Sequence, residues 1–194
     1  MSTKYILVGG HPWKANDGGR AFCLEFAKGF DQPIKILECM FARPKEVWEK
    51  SLVDDEQFFA KYLPGKKLNF QLADEKNFIN QVEWAQILYL KGGITKQLVQ
   101  SLKINPGWSL GLDGKTVAGS SAGANAIAKY YYSLDGLTLG HGLGLLPIKC
   151  LVHYRSDYNA PNVDWDKAER ELRAYKEDLP ILAIAEGQFE VRTQ

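Results

Sequence analysis

The chain lacks the features that would tie it quickly to a membrane, to nucleic acid or to an oxidising compartment. Its 194 residues contain no apolar run of the length a membrane-spanning helix needs, and they enter a strand directly, without a signal-peptide pattern. Lysine and arginine total 24 against 23 aspartates and glutamates. That excess is too small to call for a nucleic-acid partner or an anionic membrane surface. Cys23, Cys39 and Cys150 are odd in number, scattered and without C-x-x-C spacing. They argue against a disulfide framework or a structural zinc site, and for reduced thiols in a cytoplasm. Composition breaks, linkers and internal repeats are also missing, so residues 1–194 are expected to form one domain, long enough to bury a real core. Histidine is scarce as well. His11, His141 and His153 are all there is, and any imidazole chemistry must use one of them.

What the chain does have is alternation. Apolar runs at Tyr5–Val8, Pro33–Cys39, Lys67–Leu72, Gln86–Leu90, Thr116–Ala118, Ile148–Val152 and Ile181–Ala185 read as strands, with a closing strand at 188–192. Between them, helices are expected over Gly19–Phe30, Pro44–Leu63 (in one piece or two, with Asp54-Asp55 able to cap a second start), Asp74–Trp84 (with Asp74 as its N-cap), Thr95–Leu102, Ala122–Tyr131 and Asp164–Asp178. Asn105–Gly114 reads as a loop, and Ser133–Pro147 as a glycine-rich irregular stretch containing Asp135 and His141. Strand-helix alternation of this kind predicts an α/β fold, a three-layer sandwich around a mainly parallel sheet. Gly9-Gly10, Gly92-Gly93, Ser121, His153 and Glu186 each follow a predicted strand. Carboxyl ends of parallel strands gather along one sheet edge, where ligands bind.

The most informative stretch is Lys115–Ala128, with a G-x-S-x-G pentapeptide at Gly119, Ser121 and Gly123 between a β-prone run and a small-residue helix. That order describes a nucleophile elbow, a tight turn that lifts one side chain above the sheet. The following helix turns free N–H groups and positive partial charge toward the substrate oxygen. Ser121 is the candidate nucleophile. A serine hydroxyl needs a base to take its proton, and His153, at the end of a strand beyond the elbow, is the best placed histidine. The base needs an acceptor in turn. Glu186, after the next strand, is the choice, with Asp135 and Asp157 as rivals. The Ala122 backbone would supply one oxyanion donor and Gly93 the other. Cys150 lies three residues before His153, on the opposite face of a strand, and reads as a core thiol. The run Tyr130-Tyr131-Tyr132 reads as packing on the elbow helix.

Three blocks in order, Leu90–Leu98, Ala118–Asn125 and Gly142–Pro147 leading to His153-Tyr154, resemble the dipeptidase E / cyanophycinase family of serine peptidases. The resemblance spans about residues 5–191, and the elbow is its most specific part. It implies a class I glutamine amidotransferase-like fold with serine in place of that class's cysteine. It also implies Ser121 as nucleophile, His153 as base and the backbone of Gly93 and Ala122 as oxyanion hole. Cyanophycinase-like members carry a Glu-Gly that matches Glu186-Gly187; dipeptidase-like members suggest an aspartate instead, for which Asp135 is the nearest equivalent. Lys91 and Ile94 depart from the glycine and asparagine the family often places at that turn. Lys91 would either bind a substrate carboxylate or point to solvent. Arg155, Arg170 and Arg173 are available but match the family's arginine-bearing motif at no position, so the resemblance leaves selectivity for aspartyl peptides open.

The expectation is a cytoplasmic serine hydrolase that cleaves small peptides or isopeptide-like amides without metal or cofactor. No nucleic acid or membrane takes part, and a homodimer is left open, since no heptad or apolar face specifies one. Two rivals stand beside it. An α/β-hydrolase esterase would use Asp135 as its acid, and a non-catalytic amidotransferase-like binding or regulatory module would leave Ser121 inert.

Overall fold

Tyr5, Leu7, Leu37, Leu88 and Leu90 join one hydrophobic core, while Ile6, Val8, Ile36, Ile87 and Tyr89 join another. Successive side chains of a strand point to opposite faces, so strands buried on both sides read as continuous apolar runs, as parallel strands do. In this computed structural model, which describes residues 2–156 and 163–194, those strands form a six-stranded sheet. It comprises β1 (Lys4–Val8), β2 (Ile34–Cys39), β3 (Leu68–Leu72), β4 (Ile87–Leu90), β5 (Thr116–Ser120) and β10 (Phe189–Thr193), in the order β10-β1-β5-β4-β2-β3. All neighbours are parallel except β10, which runs antiparallel to β1.

Helices α1 (Arg20–Phe26) and α2 (Trp48–Tyr62) pack an aromatic layer on one face. Phe26 and Phe59 meet there with ring centroids 4.4 Å apart. Asp17 opens α1, accepting from the Gly19 and Ala21 backbones at 2.9 and 2.7 Å. The other face is covered by α3 (Phe78–Trp84), α4 (Thr95–Ile104), α5 (Ala122–Ile127) and a second sheet. That sheet holds β6 (Ala128–Ser133), β7 (Thr138–His141), β8 (Leu146–Val152) and β9 (Ile181–Ile184), in the order β7-β6-β8-β9. Its outer face packs on α6 (Trp165–Ala174), which Asp164 caps by accepting from Lys167 N at 2.9 Å.

The second sheet departs from the sequence reading. The elbow helix ends at Ile127, and Tyr130, Tyr131 and Tyr132 lie on β6 instead. Three consecutive tyrosines favour a pleated, half-buried surface, and β6 pairs with β8 on one side and β7 on the other. The glycine-rich stretch therefore contains a hairpin rather than irregular chain. Two cap assignments also change. Asp54-Asp55 lies inside an unbroken α2, and Asp74 turns the chain ahead of α3, whose N-cap is Asn77.

Candidate active site

The carboxyl ends of the two sheets meet at the end of β1. His153 N donates to Gly9 O at 2.9 Å, Gly9 N to Gln188 O at 3.1 Å, and Gly187 N to Gly10 O at 2.9 Å. The site therefore lies where two sheets abut. Ser121 follows β5 of one sheet, whereas His153 and Glu186 follow β8 and β9 of the other. Gly10 makes the junction passable. A Cβ built there, at φ 144°, would fall 2.1 Å from His153 Cε1, so only glycine lets the imidazole rest against this backbone.

Ser121 has φ 51° and ψ −107°, and His153 and His11 also have positive φ, at 54° and 36°. Such backbones cost about 1–3 kcal/mol each and persist only where surrounding structure dictates them. At Ser121 the dictating contacts are visible. Its N–H donates to Val8 O at 2.9 Å, and a Cβ on Gly123 would fall 2.0 Å from Leu90 O, so the helix after the serine packs closely on β4. Having only six residues, α5 carries little macrodipole. Any oxyanion stabilisation there falls to individual N–H groups of its first turn, which lack intrahelical acceptors.

Ser121 Oγ lies 2.8 Å from His153 Nε2, and His153 Nδ1 lies 3.0 Å from Glu186 Oε1. His153 is buried and Glu186 nearly so. Two residues that sequence reasoning left out complete the group. His11 Nδ1 lies 2.6 Å from the same Glu186 Oε1, and Lys14 Nζ pairs with Oε2. Both follow Gly9-Gly10 at the end of β1, the same positional signal that selected Ser121. Burial on its own would raise the Glu186 carboxyl, but the donors Lys14, His11 and His153 together hold it below the ordinary carboxylate value. Burial pushes His153 below the ordinary imidazole value, against the pull of Glu186 and with help from the charges of His11 and Lys14. The result is a neutral imidazole facing the serine. His11, His153 and Glu186 are also the group, among the described residues, whose donor atoms lie within 4.8 Å of one another and could surround a metal ion.

Gly93 and Ser121 together line cavities on both sides of the serine. A Cβ on Gly92 would lie 3.3 Å from Ser121 Cβ, which sets the Gly92-Gly93 turn directly against the hydroxyl-bearing residue. Asp135 is exposed between β6 and β7. It lines the larger cavity but takes no hydrogen bond from His153. Asp157 lies outside the described residues. Cys150 is fully buried, its thiol pushed up to about 12 by desolvation.

Lys91 neither reaches solvent nor stands free for a substrate. It is buried, paired with Asp55, 3.6 Å from Glu38 Oε1 and 4.6 Å from the Tyr89 ring centroid. Burial works to lower the Lys91 ammonium, yet Tyr89, Asp55 and Glu38 hold it above the ordinary lysine value. Burial also pushes the Glu38 carboxyl up, to about 10. Asp55 supplies the counter-charge. No local pattern signals this pairing, because Asp55 comes from the middle of α2.

The sequence profile of peptidase family S51 matches residues 63–192. No curated protein matches the chain in sequence. Among solved structures, a protein named as a candidate peptidase E from Listeria monocytogenes EGD-e superposes with a TM-score of 0.70 at 18% identity, over 100% of this chain and 98% of the other. A peptidase from an acI-B1 actinobacterium superposes with a TM-score of 0.65 at 21% identity, over 99% of this chain and 84% of that one. At these identities the structural likeness establishes the fold, and the profile establishes the family.

Proposed function

The chain belongs to peptidase family S51, and from that premise we propose that it acts, as one domain, on small peptides or isopeptide-like amides through Ser121, His153 and Glu186. The observation that carries this reading is the continuous relay from Ser121 Oγ to His153 at 2.8 Å and from His153 to Glu186 at 3.0 Å, seated on two strained turns.

His153 Nε2 takes the hydroxyl proton as Ser121 Oγ attacks the carbonyl carbon, and the carbonyl electron pair moves onto oxygen. The N–H groups of Gly93 and Ala122 receive that oxyanion. Glu186 holds the His153 Nδ1 proton, fixing the tautomer and stabilising the imidazolium. Collapse of the tetrahedral adduct expels the amine, which takes the proton from Nε2 and leaves an ester on Ser121. Water, deprotonated by His153, repeats the sequence and releases the acid. The reading needs no nucleic acid, in keeping with the near-neutral charge, and is cytoplasmic, where three free buried thiols remain reduced. Among the described residues, no helix is long and apolar enough to cross a membrane.

Labelling of the purified protein with a fluorophosphonate, with the adduct located by mass spectrometry, tests the mechanism. An adduct on Ser121 that disappears in His153→Ala supports it. Folded protein that takes no adduct would instead mark a binding module built on the same fold.

A further inference from the structure

We propose that His11, His153 and Glu186 form a binding site for a zinc ion, and that zinc bound there switches hydrolysis off by taking the imidazole nitrogen that Glu186 otherwise holds. The site stands on geometry alone; its effect on turnover rests on the peptidase reading above.

Hydrolysis needs one imidazole on Glu186, and the structure provides two. His11 Nδ1 lies 2.6 Å and His153 Nδ1 3.0 Å from the same Oε1, and the mechanism gives the first of them no proton to move. Both histidines have left-handed backbones, which persist only where surrounding structure dictates them. The donor atoms of the three residues all lie within 4.8 Å of one another. Two imidazoles and a carboxylate make a zinc donor set, with the fourth position left to water. Zinc holds such ligands at about 2.0–2.2 Å, so in a tetrahedral site they stand about 3.4 Å apart. Side-chain shifts of about 1 Å or less bring the three atoms to that spacing.

The surroundings admit an ion. His11 is partly exposed and lines, with His153 and Ser121, a cavity of about 190 Å³, which gives the ion a path in from the substrate side. Lys14 is the cation that stands against it. It pairs with the other oxygen, Oε2, and is exposed enough to move toward water as the ion arrives. Cys23, Cys39 and Cys150, softer ligands for zinc, are buried and out of its reach in the folded protein.

The consequence for His153 follows from its tautomer. A neutral imidazole carries one proton, and its other nitrogen is the acceptor. During hydrolysis Nδ1 carries the proton, shared with Glu186, and Nε2 is the base toward Ser121 Oγ at 2.8 Å. Zinc on Nδ1 uses the lone pair there, so the Nδ1 proton leaves to solvent and Nε2 takes one up. The ring stays neutral, but its Nε2–H no longer accepts the serine proton. Glu186 then holds the ion instead of orienting the base.

Isothermal titration of zinc chloride into the purified full chain at pH 7 should show one ion per chain at this site. His11→Asn is the informative variant, because asparagine tolerates a left-handed backbone but does not replace an imidazole ligand. It should weaken binding by at least about tenfold, the loss that removing even an outer-shell partner brings. His141→Asn, which removes the histidine outside the cluster, should leave binding unchanged. Fluorophosphonate labelling of Ser121 should slow as zinc is added and recover with a chelator. In His11→Asn that dependence should move to about tenfold higher zinc, each protein being read against its own metal-free rate. Ring-nitrogen NMR of the unmodified chain, which needs no variant to fold, should show the His153 proton on Nδ1 without zinc and on Nε2 with it. Absence of binding, binding that survives His11→Asn, or a zinc-loaded His153 that keeps its proton on Nδ1 would overturn the site. Labelling at full rate in zinc-loaded protein would overturn the switch. Zinc binding that is lost in folded His11→Asn, with no Ser121 adduct even in metal-free protein, retains the site and rejects the hydrolytic mechanism.

Discussion

His11 and Glu186, 175 residues apart in sequence, lie 2.6 Å apart through Nδ1 and the same Oε1 that faces His153. One carboxylate oxygen thus serves two imidazoles, while its other oxygen serves Lys14. Glu186 is held anionic and in place by groups on a separate strand end, rather than by His153 alone.

Glu186→Gln should therefore lower kcat by about 10⁴-fold, the scale seen when a triad acid is replaced by its amide and the wrong tautomer is held. Asp135→Asn should leave kcat nearly unchanged, because Asp135 makes no hydrogen bond to His153. Steady-state kinetics on any cleaved peptide decides between them. A larger loss in Asp135→Asn would reassign the acid and favour the order of an α/β-hydrolase esterase.

The pH dependence follows from the signs. Because His153 is held below the ordinary imidazole value of 6.5, it remains a neutral base as pH falls, and the acid limb of kcat/KM should have its midpoint below 6.5. Lys14 is one of the cations that disfavour the imidazolium. Lys14→Met should move that limb to higher pH, and a shift to lower pH would contradict this electrostatic account.

Lys91→Met would leave the Asp55 carboxylate buried without its cation. Breaking a buried pair from one side costs about 3–5 kcal/mol, and urea unfolding at pH 7 should show a loss on that scale. Glu38→Gln should cost far less, since burial already raises the Glu38 carboxyl toward its uncharged form.

Cys23, Cys39 and Cys150 are all buried with thiols pushed up to about 12. Native protein should thus react slowly with iodoacetamide at pH 8 and expose all three thiols only on unfolding. Rapid modification of Cys150 in the folded state would reopen the assignment of a serine nucleophile.

Much of this protein could be read from local chemistry. Apolar runs of strand length, punctuated by glycine and alternating with amphipathic segments, determined the α/β class, because strands covered on both faces need no polar side. The G-x-S-x-G pentapeptide determined the elbow for the same local reason, since closely packed glycines leave that turn few alternatives. Residues just past strand ends pointed to Ser121, His153 and Glu186 as candidates. Only the tertiary structure decided that these come from two sheets, that Tyr130–Tyr132 extend as a strand, and that His11 and Lys14 surround the acid. It alone showed that Asp55, from the middle of a helix, pairs with Lys91. These are contacts between residues 36 to 175 positions apart. A pairing of charges across such separations leaves no periodic trace in the sequence, because it depends on which strand ends and helix faces the topology brings together.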